Sequence, residues 1–141
     1  HNSPFNMNQI TIVTKDYNGL TADITSALGS NDINIESLDA KKIDDIGVVM
    51  LRVDQYDRAQ HVLNDAGWKP INEDALLVRV KDEPGAIAHL AKRFRNADLH
   101  VSSMRIVQHH GDWGAISVCA EPLEKARELV KDELLADTAS D

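Results

Sequence analysis

Apolar positions along the chain recur with a period that switches between two and about 3.6, and the switching runs through the same order twice. Ile10 to Val13 and Leu76 to Val80 are short β-branched or leucine-rich runs that predict strands. Leu20, Ile24, Ala27 and Leu28 fall at helical spacing, as do Ile87, Leu90, Ala91 and Phe94, so an amphipathic helix follows each strand. Ile33 and Ile35, like Leu99 and Val101, alternate with polar residues, and another strand is expected after Asp44-Asp45-Ile46-Gly47 and after a hairpin tip at His109 to Gly114. A second helix per copy is read from Ala59, Val62, Leu63 and Ala66, stopping at Gly67, and from Leu123, Ala126, Val130 and Leu134. Trp68 to Ile71 is a candidate closing strand. The tail Leu135 to Asp141 is too polar for one, so the second copy is expected to lack it or to borrow it.

The two halves align directly. Setting Ile10 on Leu76 carries the register without a gap to Leu38 on Met104, with identities at Lys15/Lys81, Asp16/Asp82, Gly19/Gly85, Ala22/Ala88, Asp32/Asp98 and Ser37/Ser103. One inserted residue near His110-Gly111 then shifts the register, so that Val48-Val49-Met50-Leu51 meets Ala115-Ile116-Ser117-Val118. The expected class is α+β: two ferredoxin-like β-α-β-β-α(-β) units, each an antiparallel sheet with both helices on one face and the other face bare. A unit of about 65 residues buries little surface and leaves a sheet edge open, so pairing of units, and a homodimer, are expected.

Composition places the chain among ordinary globular proteins, with 43% apolar and 27% charged residues. A formal charge of -8, with no basic cluster beyond Lys41-Lys42 or Lys92-Arg93-Arg95, disfavours nucleic acid as a partner. The single cysteine, Cys119, sits in an apolar run where a buried thiol is expected, which fits a reducing cytoplasm. No run of 18 apolar residues suggests a membrane span. His1 to Asn6 read as an appended remnant before Met7, giving segments 1–7, 8–72 for the first unit and 73–141 for the second.

Candidate chemistry lies where each first strand turns into its helix, at Lys15-Asp16-Tyr17-Asn18-Gly19-Leu20 and Lys81-Asp82-Glu83-Pro84-Gly85-Ala86. Each has an acid three residues before a glycine. Glycine allows a tight turn and close approach of backbone to a ligand, and a helix's first N–H groups lack intrahelical partners. A ligand carboxylate there gains about 1.5–3 kcal/mol per charge-assisted hydrogen bond and about 0.3–1 kcal/mol from the helix dipole. Asp16 or Asp82 would then take a ligand ammonium, selecting amino acids over simple acids. The plainer reading is that each aspartate serves its helix start alone, at roughly 1 kcal/mol.

These turns, the Asp32-Ile33-Asn34-Ile35 strand opening and the repeated β-α-β-β-α order resemble tandem ACT domains over about residues 9 to 135, and in particular two-ACT proteins without an enzyme domain. The resemblance implies an amino acid bound between two ACT units, by the turn of one and the second strand of another. Carried over by position, it implies ligand contacts at Asp16, Asn18, Gly19, Leu20, Asn34 and Ile35, and at Asp82, Pro84, Gly85, Ala86, His100 and Val101. His100 stands where the family has asparagine and Asn18 where it has proline, so the two sites are expected to differ. A regulated enzyme or regulator is the implied downstream partner.

His109-His110 beside Asp112, with His89, His100 and Cys119, supplies metal donors at poor spacing, and a solvated hairpin tip is the preferred reading, with no metal and no cofactor expected. Catalysis is disfavoured because no nucleophile elbow or glycine-rich phosphate loop occurs. Trp68 and Trp113 read as packing residues. The expected function is a non-catalytic sensor of an amino acid or similar small molecule. The alternative is a protein-interaction or oligomerisation module with a vestigial pocket, and the minor alternative is a metal-responsive binder.

Overall fold

The structure, a computed structural model, describes residues 9–71 and 74–139. The expected remnant at 1–7 lies outside them. The chain divides between 72 and 73 into two compact units.

The first unit contains β1 (Gln9–Lys15), α1 (Leu20–Gly29), β2 (Ile35–Ile43), β3 (Ile46–Val53) and α2 (Tyr56–Asp65). Its antiparallel sheet runs β1-β3-β2, and Ile71 bridges to Thr11 on the outer side of β1. Alternation in the strands turns Ile10, Ile12, Val49, Leu51 and Val53 toward one face, where Leu20, Ile24 and Leu28 of α1 and Ala59 and Leu63 of α2 complete the core. The candidate closing strand Trp68 to Ile71 reduces to that one bridge, with Trp68 packed on the core.

In the second unit come β4 (Leu76–Lys81), α3 (Ala86–Asn96), β5 (His100–His110), β6 (Trp113–Glu121), α4 (Leu123–Leu129) and β7 (Leu134–Asp137). The sheet order β5-β6-β4-β7 is that of a complete ferredoxin-like unit. Leu76, Val78, Ile116 and Val118 pack against Leu90 and Phe94 of α3 and Ala126 of α4. Phe94 is fully buried, and cutting it to alanine is expected to cost about 3–5 kcal/mol.

Helix ends explain one repeat identity. Asp32 and Asp98 both adopt positive φ, 58° and 60°. In each case the next residue, Ile33 or Leu99, donates its N–H to a carbonyl five residues back, Leu28 or Phe94, at 3.0 Å. This is a Schellman-type stop with aspartate in the left-handed position usually given to glycine.

Three expectations need correction. The second unit does close itself: β7 pairs antiparallel with β4, and the Thr138 hydroxyl accepts the Ala75 N–H at 2.8 Å. Its last helix is correspondingly shorter, because Leu134 opens β7. Finally, Ile87 lies outside the core and is 37% exposed.

Candidate ligand site

Gly19 and Gly85 are the N-caps of α1 and α3, with φ/ψ of 100°/0° and 86°/-1°. These left-handed conformations are what requires glycine, for nothing lies within 4 Å of the position a Cβ would take. No side chain caps either helix. At the first bend the Leu20 N–H goes to the Tyr17 carbonyl at 3.1 Å and that of Asp23 to Gly19 at 2.9 Å. At the second, Ala86 N–H goes to Glu83 at 3.2 Å and His89 N–H to Gly85 at 2.8 Å. The amides in between, of Thr21 and Ala22 and of Ile87 and Ala88, have no hydrogen-bond partner among the described residues.

The two bends share a backbone and differ in charge. Four residues past Gly19 stands Asp23, whose carboxylate accepts the Tyr17 hydroxyl at 2.6 Å; four past Gly85 stands His89. That hydrogen bond first, then burial and the Asp23 charge, raise the Tyr17 phenol above its ordinary 10.0. A carboxylate already occupies the positive end of α1, and none occupies that of α3.

Asp16 and Asp82 are held differently too. Asp16 donates its N–H to the Asp45 carbonyl at 2.7 Å, and its carboxylate lies over Gly47 of β3. Asp82 donates its N–H to the Asp112 carbonyl at 2.9 Å, and its Oδ2 lies 2.8 Å from Nδ1 of His109. The hairpin tip expected at His109 to Gly114 is in fact the Gly111-Asp112 turn alone, and His109 and His110 end β5. His110 packs edge-on against Trp113, ring centroids 5.1 Å apart. Among the described residues no three His, Cys, Asp or Glu side chains gather as a metal site would require.

Two recesses flank the Gly85 bend. One, of about 320 Å³, runs from Asp82 and Gly85 over Ile87 to Ile106 and His109 of β5. The other, of about 550 Å³, lies toward Arg79, Lys81, His89 and Arg93. In it the Arg93 guanidinium is engaged by Glu133 at 2.8 Å and the Leu129 carbonyl at 3.0 Å, and the Arg79 guanidinium sits 4.4 Å from the Trp113 ring centroid.

Of the residues expected at the second site, Asp82, Pro84, Gly85 and Ala86 line these recesses. His100 and Val101 do not. They begin β5, beside Ala120 and Glu121, whereas the bend adjoins Trp113 at the other end of β6. At about 3.3 Å per residue the separation is roughly 25 Å. The first unit repeats this: Asp16, Asn18, Gly19 and Leu20 stand by Ile46, while Asn34 and Ile35 stand by Val53 and Asp54. Leu20, Ile35 and Val101 point into their cores. Sequence reasoning missed His109, Ile87 and Ile106. The last two show themselves only in the fold, as large apolar residues left partly exposed at 37% and 41%.

Both units follow the β-α-β-β-α order that the residue pattern led one to expect, with a glycine bend before each first helix, and the second unit adds β7. The chain resembles tandem ACT-domain proteins. No family model matches it, and no curated protein does. Solved structures similar to the two ACT-like units include protein BT0572 from Bacteroides thetaiotaomicron, at 19% identity and TM-score 0.46, covering 93% of this chain and 92% of that one. The regulatory subunit of aspartate kinase from Thermus thermophilus, ligand-free, is similar at 17% identity and TM-score 0.42, covering 88% and 90%. The acetolactate synthase small subunit from Thermotoga maritima follows at 14% and 0.38, covering 92% and 89%.

Proposed function

We propose that the chain is a non-catalytic sensor that binds an amino acid or similar small zwitterion at its strand-to-helix bends, the second bend being the stronger site. The observation that carries the reading is the Gly85 bend: left-handed glycine, two first-turn amides without partners, and Asp82 on the rim of the same recess. The ligand carboxylate would meet the amides of Ile87 and Ala88 and its ammonium would meet Asp82. Those are opposite charges a few ångströms apart, the pattern of an α-amino acid.

The resemblance further implies that each bend is completed by the second strand of another unit, through Asn34 and Ile35 or His100 and Val101. Supporting this, a bend and the start of the second strand stand at opposite ends of one unit, so a site using both needs two units. A homodimer and a regulated enzyme or regulator belong to the same proposal, as does a cytoplasmic setting. Among the described residues no helix is long and apolar enough to cross a membrane.

The test is a thermal-shift screen of the twenty amino acids and the purines. A binder at 100 times its Kd should add about 2.7 kcal/mol of stability. Gly85→Val should remove most of the shift and Gly19→Val little of it, each variant paying about 1–3 kcal/mol in backbone strain while remaining folded. Silence across the panel overturns the sensor reading. It would favour an interaction module instead, for which the open edge strands β2 and β5 are the natural surfaces.

A further inference from the structure

In the second unit the acid assigned to the ligand's ammonium already has an imidazole beside it. Asp82 Oδ2 and His109 Nδ1 are 2.8 Å apart, and both groups line the recess next to Gly85. They come from elements 27 residues apart in sequence, so the fold, not local chain geometry, makes the contact. We infer that His109 is a specificity-determining residue that competes with the ligand's ammonium for Asp82, making amino-acid affinity depend on pH. The inference rests on the sensor reading above.

The chemistry is a displacement. When His109 is an imidazolium, the Asp82 carboxylate is neutralised, and an arriving ammonium must break that pair; the displaced imidazolium turns to solvent and releases a fraction of a proton to the buffer. A neutral His109 offers only a weaker N–H donor and yields more easily. Other charges around the recess are Lys81 and Glu83 of the bend, with Asp112 in the adjoining hairpin turn. His89 lines the other recess beside the same bend. The facing α3 and β-strand residues, Ile87, Ala88, Ile106, Gly114 and Ile116, are uncharged. The first unit has no counterpart, since the carboxylate of Asp16 lies over Gly47 with no ionic partner among the described residues.

The side chains of His109 and Asp82 are 64% and 38% exposed, so the effect is modest. An exposed pair of this kind should change affinity about two- to fivefold. Calorimetric titrations of the twenty amino acids and their matching 2-hydroxy acids, at about pH 8 and about pH 5.5, measure it. In the unaltered chain the amino acid that binds should weaken two- to fivefold at the lower pH, and its binding heat should vary slightly with buffer ionisation enthalpy as a fraction of a proton is released. Its 2-hydroxy acid, which has no ammonium, should show neither effect. In His109→Asn the amino acid should bind with one affinity at both pH values, and in Asp82→Asn it should lose its advantage over the hydroxy acid. Amino-acid binding that is pH-dependent in His109→Asn, or pH-independent in the unaltered chain, overturns the inference and leaves the sensor reading standing. Absence of amino-acid binding in every protein at both pH values overturns both.

Discussion

The Tyr17 hydroxyl donates to Asp23 across the first turn of α1, at 2.6 Å, and so puts a fixed carboxylate at the helix end where a ligand anion would have to dock. The matching position in α3 is His89. Removing the charge with Asp23→Asn should therefore strengthen carboxylate binding at the first bend by roughly twofold to fivefold, the scale of a helix-dipole interaction. Calorimetry on a Gly85→Val background isolates that bend. No gain there would remove the electrostatic account of why the bends differ.

The same contact makes a prediction about tyrosine titration. Hydrogen bonding to Asp23 first, then burial and the Asp23 charge, hold the Tyr17 phenol above 10.0. Burial first, then the Asp57 charge, with the Gln60 amide pulling the other way, raise Tyr56. A group raised in the fold contributes stability that is fully present below its unfolded value and is lost as pH rises through the folded one. The Tyr17 contribution is thus intact below pH 10.0 and disappears above it. Ultraviolet titration should show both tyrosines ionising late, and Asp23→Asn should return one of them toward 10.0 while leaving the other.

Asp98 tests the helix stop. A β-branched residue tolerates positive φ poorly, so Asp98→Val should cost about 1–2 kcal/mol in urea unfolding, whereas Asp98→Gly should be close to neutral. The same ordering should hold at Asp32. Equal effects of valine and glycine would mean that the aspartate is held by its side chain and not by its backbone.

Thr138 tests the closing strand. Its hydroxyl accepts the Ala75 N–H at 2.8 Å and is within 3.2 Å of the Ala75 carbonyl, all of it buried. Thr138→Val keeps the shape and deletes the partner, leaving a buried donor unsatisfied at about 1–3 kcal/mol. Thr138→Ser should recover most of the loss. A neutral valine variant would indicate that β7 is dispensable to the unit.

Much of this fold was legible because the chain states it twice. Periodicity identified the strands and helices around Ile10, Leu20, Leu76 and Leu90, and the glycine pair marked both bends. What escaped was held by other forces. β7 is short and carries only Leu134, Leu135 and Ala136 as apolar content; backbone pairing to β4 and one threonine hydroxyl fix it, and neither leaves a periodic signature. Asp32 and Asp98 were visible as an identity, but positive φ is a backbone property that aspartate shares with many other roles. The contact between His109 and Asp82 spans the sheet, and sequence spacing carries no trace of it. Ile87 had the helical phase of a core residue, yet in the first turn of α3 it lines the recess instead.

The glycines opposite the two bends give the last prediction. Gly47 and Gly114 occupy matching places at the starts of β3 and β6, but their surroundings are unequal. A Cβ on Gly47 would come within 2.9 Å of Leu20 Cδ2 and 3.3 Å of Asp16 Oδ1, whereas one on Gly114 would meet only the Gln108 carbonyl at an ordinary 3.6 Å. Leu20 is core-packed and 4% exposed, so it has little room to retreat, and Gly47→Ala should cost about 1–3 kcal/mol as overpacking does. Because the same Cβ presses on Asp16, Gly47→Ala should also disturb the first bend, and Gly114→Ala should leave the second as it was. Urea unfolding gives the first half of this contrast, and amide chemical shifts of residues 16–22 and 82–88 give the second. Equal responses of the two bends would show that Asp16 is not set by its contact with β3.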